Sequence, residues 1–200
     1  LDLVQSRSVP ASEILVLTFT RAAAQELRQR IGQALGEQAE QPRVATLHSF
    51  ALRQLLRNSA KITSLPQPLR IADDWEERQV VVEDLKRILG QSVKEVKAEF
   101  QAMAADWESM DDSVLPRDPK FIGAWRQHRA VYGYTLRAEL VYELKKALEQ
   151  IGDFALDAPI THLLIDEYQD LNKCDLAIVR ALATRGAVLF AAGDDDQSIY

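Results

Sequence analysis

The segment Ile160-Thr-His-Leu-Leu-Ile-Asp-Glu-Tyr-Gln-Asp170 constrains the fold more than any other part of the chain. Its apolar run is long enough for a buried strand and too short for a helix. The run ends abruptly in carboxylates at Asp166, Glu167 and Asp170. In an open α/β sheet, ligands bind beyond the carboxyl ends of the strands. A strand tipped with Asp-Glu therefore directs two charges at a ligand crevice. Two such carboxylates can divide the work of nucleotide hydrolysis. One holds Mg²⁺, largely through water; the other orients the attacking water and accepts its proton. The same residues also suit a plainer role, an acidic loop before a helix that Asn172 and Asp175 would cap. This stretch alone leaves both open.

The neighbouring segments repeat the theme. Strands are expected at residues 14–17, 44–46, 163–165 and 188–191, each ending in a polar burst. The first runs into Thr18-Phe-Thr-Arg, where Thr20 suits an N-cap and Leu27, Ile31 and Leu35 mark one helix face before Gly36. The second runs into Thr46-Leu-His-Ser and another helix. The last runs into Gly193-Asp-Asp-Asp-Gln-Ser-Ile-Tyr200. Strand, polar tip and helix in alternation are the rhythm of a parallel sheet. The expected arrangement puts Thr18, Thr46, Asp166 and Gly193 at one edge. Asp194 to Asp196 beside Asp166 and Glu167 would repel unless a cation or water lay between them.

Between residues 61 and 157 the pattern is helical without a convincing strand. Asp74 with Glu77 suits the start of a helix carrying Val81, Val82, Leu85, Ile88 and Leu89, closed by Gly90. Ser92 with Glu95 suits the start of another, and Asp118-Pro119 a third with Phe121, Trp125 and Val131 or Tyr132 on its inner face. A long helix from Arg137 to Ile151 closes the segment. Trp75, Trp107 and Trp125 all lie here at helical spacing, which suits core packing. The chain thus divides into residues 1–60, an inserted helical subdomain over 61–157, and a return to the sheet over 158–200.

Composition narrows the classes. With 47% hydrophobic residues the chain can build a core, and a net charge of −6 argues against a surface that attracts nucleic acid everywhere. A local basic stretch from Arg21 to Lys61 stands out, readable as a nucleic-acid track or as solvated helix faces. Cys174 is the only cysteine, so no internal disulfide forms, and three scattered histidines offer no zinc spacing. No apolar run approaches a membrane span, and no signal-peptide pattern opens the chain, so no membrane partner and a cytoplasmic location are expected.

Taken together, these segments resemble the first RecA-like motor domain of a superfamily I DNA helicase of the UvrD/Rep type. Leu15 to Ile31 resembles that family's motif Ia, and Ala45-Thr-Leu-His-Ser-Phe50 its motif Ib. Leu164-Ile-Asp-Glu-Tyr-Gln-Asp170 is similar to motif II, and Gly193 to Tyr200 to motif III. The resemblance covers nearly the whole chain. It implies an α/β fold, a partial RecA-like P-loop NTPase parallel sheet with the helical subdomain inserted. It also implies ATP and Mg²⁺ as cofactors. Asp166 would ligate Mg²⁺, Glu167 would be the catalytic base, and Gln197 would sense the γ-phosphate. Phe19, Thr20, Arg21, Thr46, His48 and Tyr200 lie in motifs that contact single-stranded DNA.

Departures from the family pattern set further expectations. No glycine here precedes a lysine, so the family's phosphate loop, Gly-x-x-x-x-Gly-Lys-Thr, is absent and is expected upstream of residue 1. Arg21 stands where many relatives carry asparagine, with alanine rather than lysine after it. The second RecA-like domain, a partner in hydrolysis, lies outside the sequence. The chain reads as a piece of an ATP-driven helicase, itself inactive and inclined to self-associate. The rival reading is a non-enzymatic module that binds DNA or a partner. A metal-dependent nuclease fits less well, since that chemistry does not require Gln197 or Thr-Leu-His-Ser.

Overall fold

The computed structural model describes residues 1–36, 39–110 and 118–194. Among them, β1 (Ile14–Thr18), β2 (Arg43–Thr46), β3 (His162–Ile165) and β4 (Val188–Ala191) form one parallel sheet in the order β2-β1-β3-β4. Each expected strand is found to within a residue at either end. The register aligns the carboxyl ends: Thr18 faces Thr46, Leu17 faces Ile165, and Ile165 faces Ala191.

Every residue of β1 is buried, because both faces of the sheet are covered. A strand covered twice must be apolar throughout rather than alternating. A short α1 (Asp2–Gln5) and α2 (Arg21–Leu35) lie on one face, where Ala24, Leu27 and Ile31 pack on Ile14, Val16 and Val44. On the other face α3 (Leu47–Arg57) packs with elements later in the chain on Leu15, Leu17, Leu163 and Ile165. Thr20 caps α2 through its hydroxyl, which accepts the Ala23 N–H at 3.0 Å, and Gly36 takes a left-handed φ of 95° past the helix end.

The helical segment has a core of its own. Asp73 caps α4 (Asp74–Glu76), which runs through a π-helical turn at Glu77–Val81 into α5 (Val82–Leu89). Two longer helices follow, α6 (Val93–Ser109) and α7 (Pro119–Tyr132). Their buried residues, from Ala72 to Leu136, include Val81, Leu85, Met103 and Trp125, with Phe100 edge-on to Phe121 at 5.1 Å. A single parallel bridge, Ile71 to Thr135, ties the entry of this segment to its exit. A 3-10 turn at Arg137–Glu139 then leads into α8 (Leu140–Gln150). Leu140, Leu144 and Leu148 of α8 join the sheet's core rather than that of α5 to α7. The final helix, α9 (Lys173–Thr184), opens with the Asn172–Asp175 capping box, both of whose bonds are made.

Three expectations within the helical segment need correction. The cap of α4 is Asp73, not Asp74: its carboxylate accepts the Glu76 N–H at 2.7 Å from an extended backbone. Either aspartate has a glutamate three residues on, so the pattern alone could not choose. Trp75 is 67% exposed rather than in the core. It lies seven residues before Val82 and would share that face in a regular helix. The π-helical turn adds a residue per turn and rotates it away. On α7, Val131 and Tyr132 point outward, and the buried His128 completes the inner face. Its ring lies 3.2 Å from the Tyr134 hydroxyl and 3.3 Å from Asp84 Oδ2.

Candidate functional site

The connection after β1 packs on one face of the sheet, and the one after β3 packs on the other. That reversal falls at the carboxyl ends of these two strands, the position where open α/β sheets bind ligands. The turn after β3 begins with Asp166, whose N–H donates to the Leu17 carbonyl at 3.0 Å. Asp166 is half-buried and Glu167 exposed. Glu167 holds a left-handed backbone, φ 55° and ψ 52°, a conformation costing a non-glycine residue about 1–2 kcal/mol. It turns the chain so that Tyr168 reaches β4, whose following residue Ala192 accepts the Tyr168 N–H at 3.0 Å. Ala192 in turn donates to Ile165 at 2.8 Å. Asp166 and Asp194 therefore share one edge of the sheet, as expected.

Gln169 links these two turns, a role the sequence reading did not assign. Its amide nitrogen donates to the Glu167 carboxylate at 2.5 Å, and its oxygen accepts the Asp194 N–H at 3.2 Å. Gly193 completes the junction. A Cβ there would meet Gln169 Oε1, with Tyr168 Cδ1 at 2.6 Å and the Tyr168 nitrogen at 3.0 Å. The Asp166–Glu167 pair suits Mg²⁺, which takes one or two protein carboxylates and keeps several waters. Among the described residues no group of three or more His, Cys, Asp or Glu side chains is placed to hold a metal. Gln197 and Tyr200, with Asp195 and Asp196, lie outside the described residues.

On the other side of β1 lies a cleft of about 370 Å³. Phe19, Arg21, Thr46 and His48 all line it, so four expected DNA-contact residues converge in space. Thr20 stands at the neighbouring helix start with its hydroxyl engaged as a cap. Thr46 is likewise a cap: its hydroxyl accepts the Ser49 N–H at 3.2 Å. Phe19 is half-buried, while Arg21 and His48 are exposed. Crowding in the cleft lowers the His48 pKa, and the Arg137 charge lowers it further, which favours the neutral ring. The basic stretch is not one continuous track. Arg28 donates to the Val44 carbonyl, Arg43 pairs with Asp157 at 2.9 Å, and Lys61 pairs with Asp153 at 2.6 Å. Arg21 makes no ion pair among the described residues.

Cys174 is buried on α9, and burial pushes its thiol up to about 12, so it packs as a small apolar group. No helix among the described residues is long and apolar enough to cross a membrane.

A parallel sheet of this order, with carboxylates at its reversal point and a helical segment inserted ahead of them, defines a partial RecA-like α/β domain. Residues 1–200 match the model of the UvrD/REP helicase N-terminal domain, and the chain belongs to that family. It is 32% identical to the ATP-dependent DNA helicase UvrD1 of Mycobacterium tuberculosis, over 99% of this chain and 29% of that protein. It is 29% identical to DNA helicase II of Escherichia coli, over 94% of this chain and 28% of the relative. PcrA of Staphylococcus aureus, an ATP-dependent DNA helicase, is 27% identical over 99% of this chain and 29% of its own length. The chain thus spans less than a third of these relatives.

Proposed function

We propose that this chain forms the nucleotide- and strand-facing edge of the first motor domain of an ATP-driven helicase that moves on single-stranded DNA. One observation carries the reading. The turn bearing Asp166 and Glu167 and the turn bearing Phe19 to Arg21 leave adjacent strands, joined by the bond from Asp166 to Leu17. A nucleotide end and a strand-binding end built on one rigid strand pair suit an engine that couples hydrolysis to movement.

In this reading Asp166 holds Mg²⁺, largely through water, and Glu167 orients the attacking water and accepts its proton. When bound, Mg²⁺ offsets the charge of the phosphates. Gln197 senses the γ-phosphate, and an arginine of the second RecA-like domain completes the site. Phe19 and Tyr200 offer stacking surfaces to bases, while Thr20, Arg21, Thr46 and His48 serve the backbone. The test is DNA-stimulated ATP hydrolysis by the intact protein and its Glu167→Gln variant. Equal rates would remove Glu167 from the reaction.

A second reading, a module that only binds DNA or a partner, draws on the cleft of Phe19, Arg21, Thr46 and His48, which would need no nucleotide to hold a strand. Nucleotide binding by the intact protein separates the two.

A further inference from the structure

The cleft that carries Phe19 and His48 has a second wall, supplied by the inserted segment. Its position is set by the parallel bridge between Ile71 and Thr135, where Ala72 donates to the Thr135 carbonyl at 3.0 Å and Thr135 donates to the Arg70 carbonyl at 2.7 Å. Asp73 lies two residues past one bridge partner and Arg137 two past the other, so both reach the same cleft. Thr135 is fully buried, which anchors the bridge.

The two charged residues are committed to different degrees. Asp73 is held in place as the cap of α4. Arg137 is exposed, and it pairs with Asp74, 3.5 Å away and itself exposed. An exposed pair at that separation contributes little and releases the arginine readily. Arg21 stands across the same cleft. The lining therefore includes two exposed arginines and a half-buried aromatic ring, Phe19. That combination suits a phosphodiester backbone whose bases stack on an aromatic surface.

We propose that Arg137 grips a backbone phosphate of the strand in this cleft, so that the inserted segment closes one side of the strand site. The proposal rests on the reading of the cleft as the strand site. An arginine here acts on charge and not on base identity, so its contribution is independent of sequence. Asp73 keeps the strand toward the Arg21 and Arg137 side by repulsion.

Binding of fluorescent oligo(dT) and of a mixed-sequence oligonucleotide to the intact protein, measured by anisotropy over a range of salt, tests this. Arg137→Gln should weaken both oligonucleotides equally, by about 5- to 10-fold, and reduce the salt slope by about 0.7, the value of one single-strand phosphate contact. Arg137→Lys should retain the slope, and Asp74→Asn should bind as well as wild type or better. Phe19→Ala is the control for the cleft itself. Weakening by Phe19→Ala but not by Arg137→Gln would overturn the role of Arg137 and leave the strand site standing. Full binding by both variants would overturn the strand site. Equal losses in Arg137→Gln and Asp74→Asn would assign Arg137 a purely structural pairing and overturn the proposal.

Discussion

Gln169 donates its amide N–H to the carboxylate of Glu167 at 2.5 Å, two residues away across a left-handed turn. The bond holds the carboxylate that is proposed to orient the attacking water. Glu167→Gln in the intact protein should leave nucleotide binding nearly unchanged and lower DNA-stimulated hydrolysis by about 10²-fold or more, the scale of a lost general base. Gln169→Leu keeps that base and removes its support, so kcat should fall by about 10-fold with little change in KM. A rise in KM with kcat intact would show that Gln169 serves binding instead of positioning.

Gly193 fits where no side chain can. A methyl group there would collide with the side chains of Gln169 and Tyr168 and press on the Tyr168 backbone nitrogen at 3.0 Å. Gly193→Ala should therefore cost about 1–3 kcal/mol, the usual range for forced overpacking, and lower the melting temperature. It should also disturb hydrolysis by displacing Gln169 from Glu167. An unchanged melting curve with full activity would mean that the two turns separate freely.

The sheet and the local helix signals were legible because each depends on few residues. Apolar runs ending in polar bursts placed all four strands, and Thr20, Ser92 with Glu95, and Asn172 with Asp175 form the caps their spacing suggests. Trp75 departs from the expected core position because a π-helical turn leaves no periodic trace in the sequence. Gln169 lies within a recognised motif, yet its bonds reach Glu167 and Asp194 from opposite ends of one amide, which spacing does not reveal. Arg137 reaches the cleft only through the Ile71–Thr135 bridge, a contact 64 residues apart in sequence. Convergence of distant segments was what the sequence hid.

Stability should decline as pH rises from about 4 to 8, in part through two buried acids. Burial raises Glu139 to about 7, against the pull of Arg129 at 2.8 Å and the Leu136 N–H, with Glu143 adding repulsion. Burial likewise raises Asp175 to about 6, against its bond from Asn172. Each acid binds its proton more tightly folded than unfolded. Its contribution is complete below the unfolded pKa and is lost as pH rises through the folded value. His48, with a lowered pKa, acts in the opposite sense, so the difference between variants is the cleaner measurement. Glu139→Gln should show a smaller fall in melting temperature between pH 5 and pH 8 than wild type. Parallel curves would remove Glu139 as a source of the dependence.

β4 pairs with β3 on one side, and its other side has no strand partner among the described residues. Val188, Leu189 and Phe190 are exposed at 51%, 44% and 43%. An open apolar edge is a template for further strand pairing. A chain of these 200 residues should self-associate at micromolar concentration, and Leu189→Lys should shift it toward monomer in sedimentation velocity. A wild-type chain that stays monomeric at high concentration would show that this edge is not adhesive.

The same 200 residues should neither hydrolyse ATP nor bind it tightly. A triphosphate brings several negative charges to a sheet edge that already carries Asp166, Glu167 and Asp194. Mg²⁺ held by Asp166, as proposed, would offset part of that charge. Tight binding also needs backbone amides and a lysine around the phosphates, as a glycine-rich loop supplies, and no glycine in this chain precedes a lysine. Arg21 and Arg137 do not fill the gap, since both line the cleft on the far side of β1 with Phe19 and His48. Calorimetry with Mg²⁺-ATP should therefore register no binding in the micromolar range, while oligo(dT) binding by the same chain should persist weakly through that cleft. Micromolar affinity for Mg²⁺-ATP would mean that the Asp166 edge holds phosphates without such a loop, and the division of labour proposed for Asp166 and Glu167 would have to be redrawn.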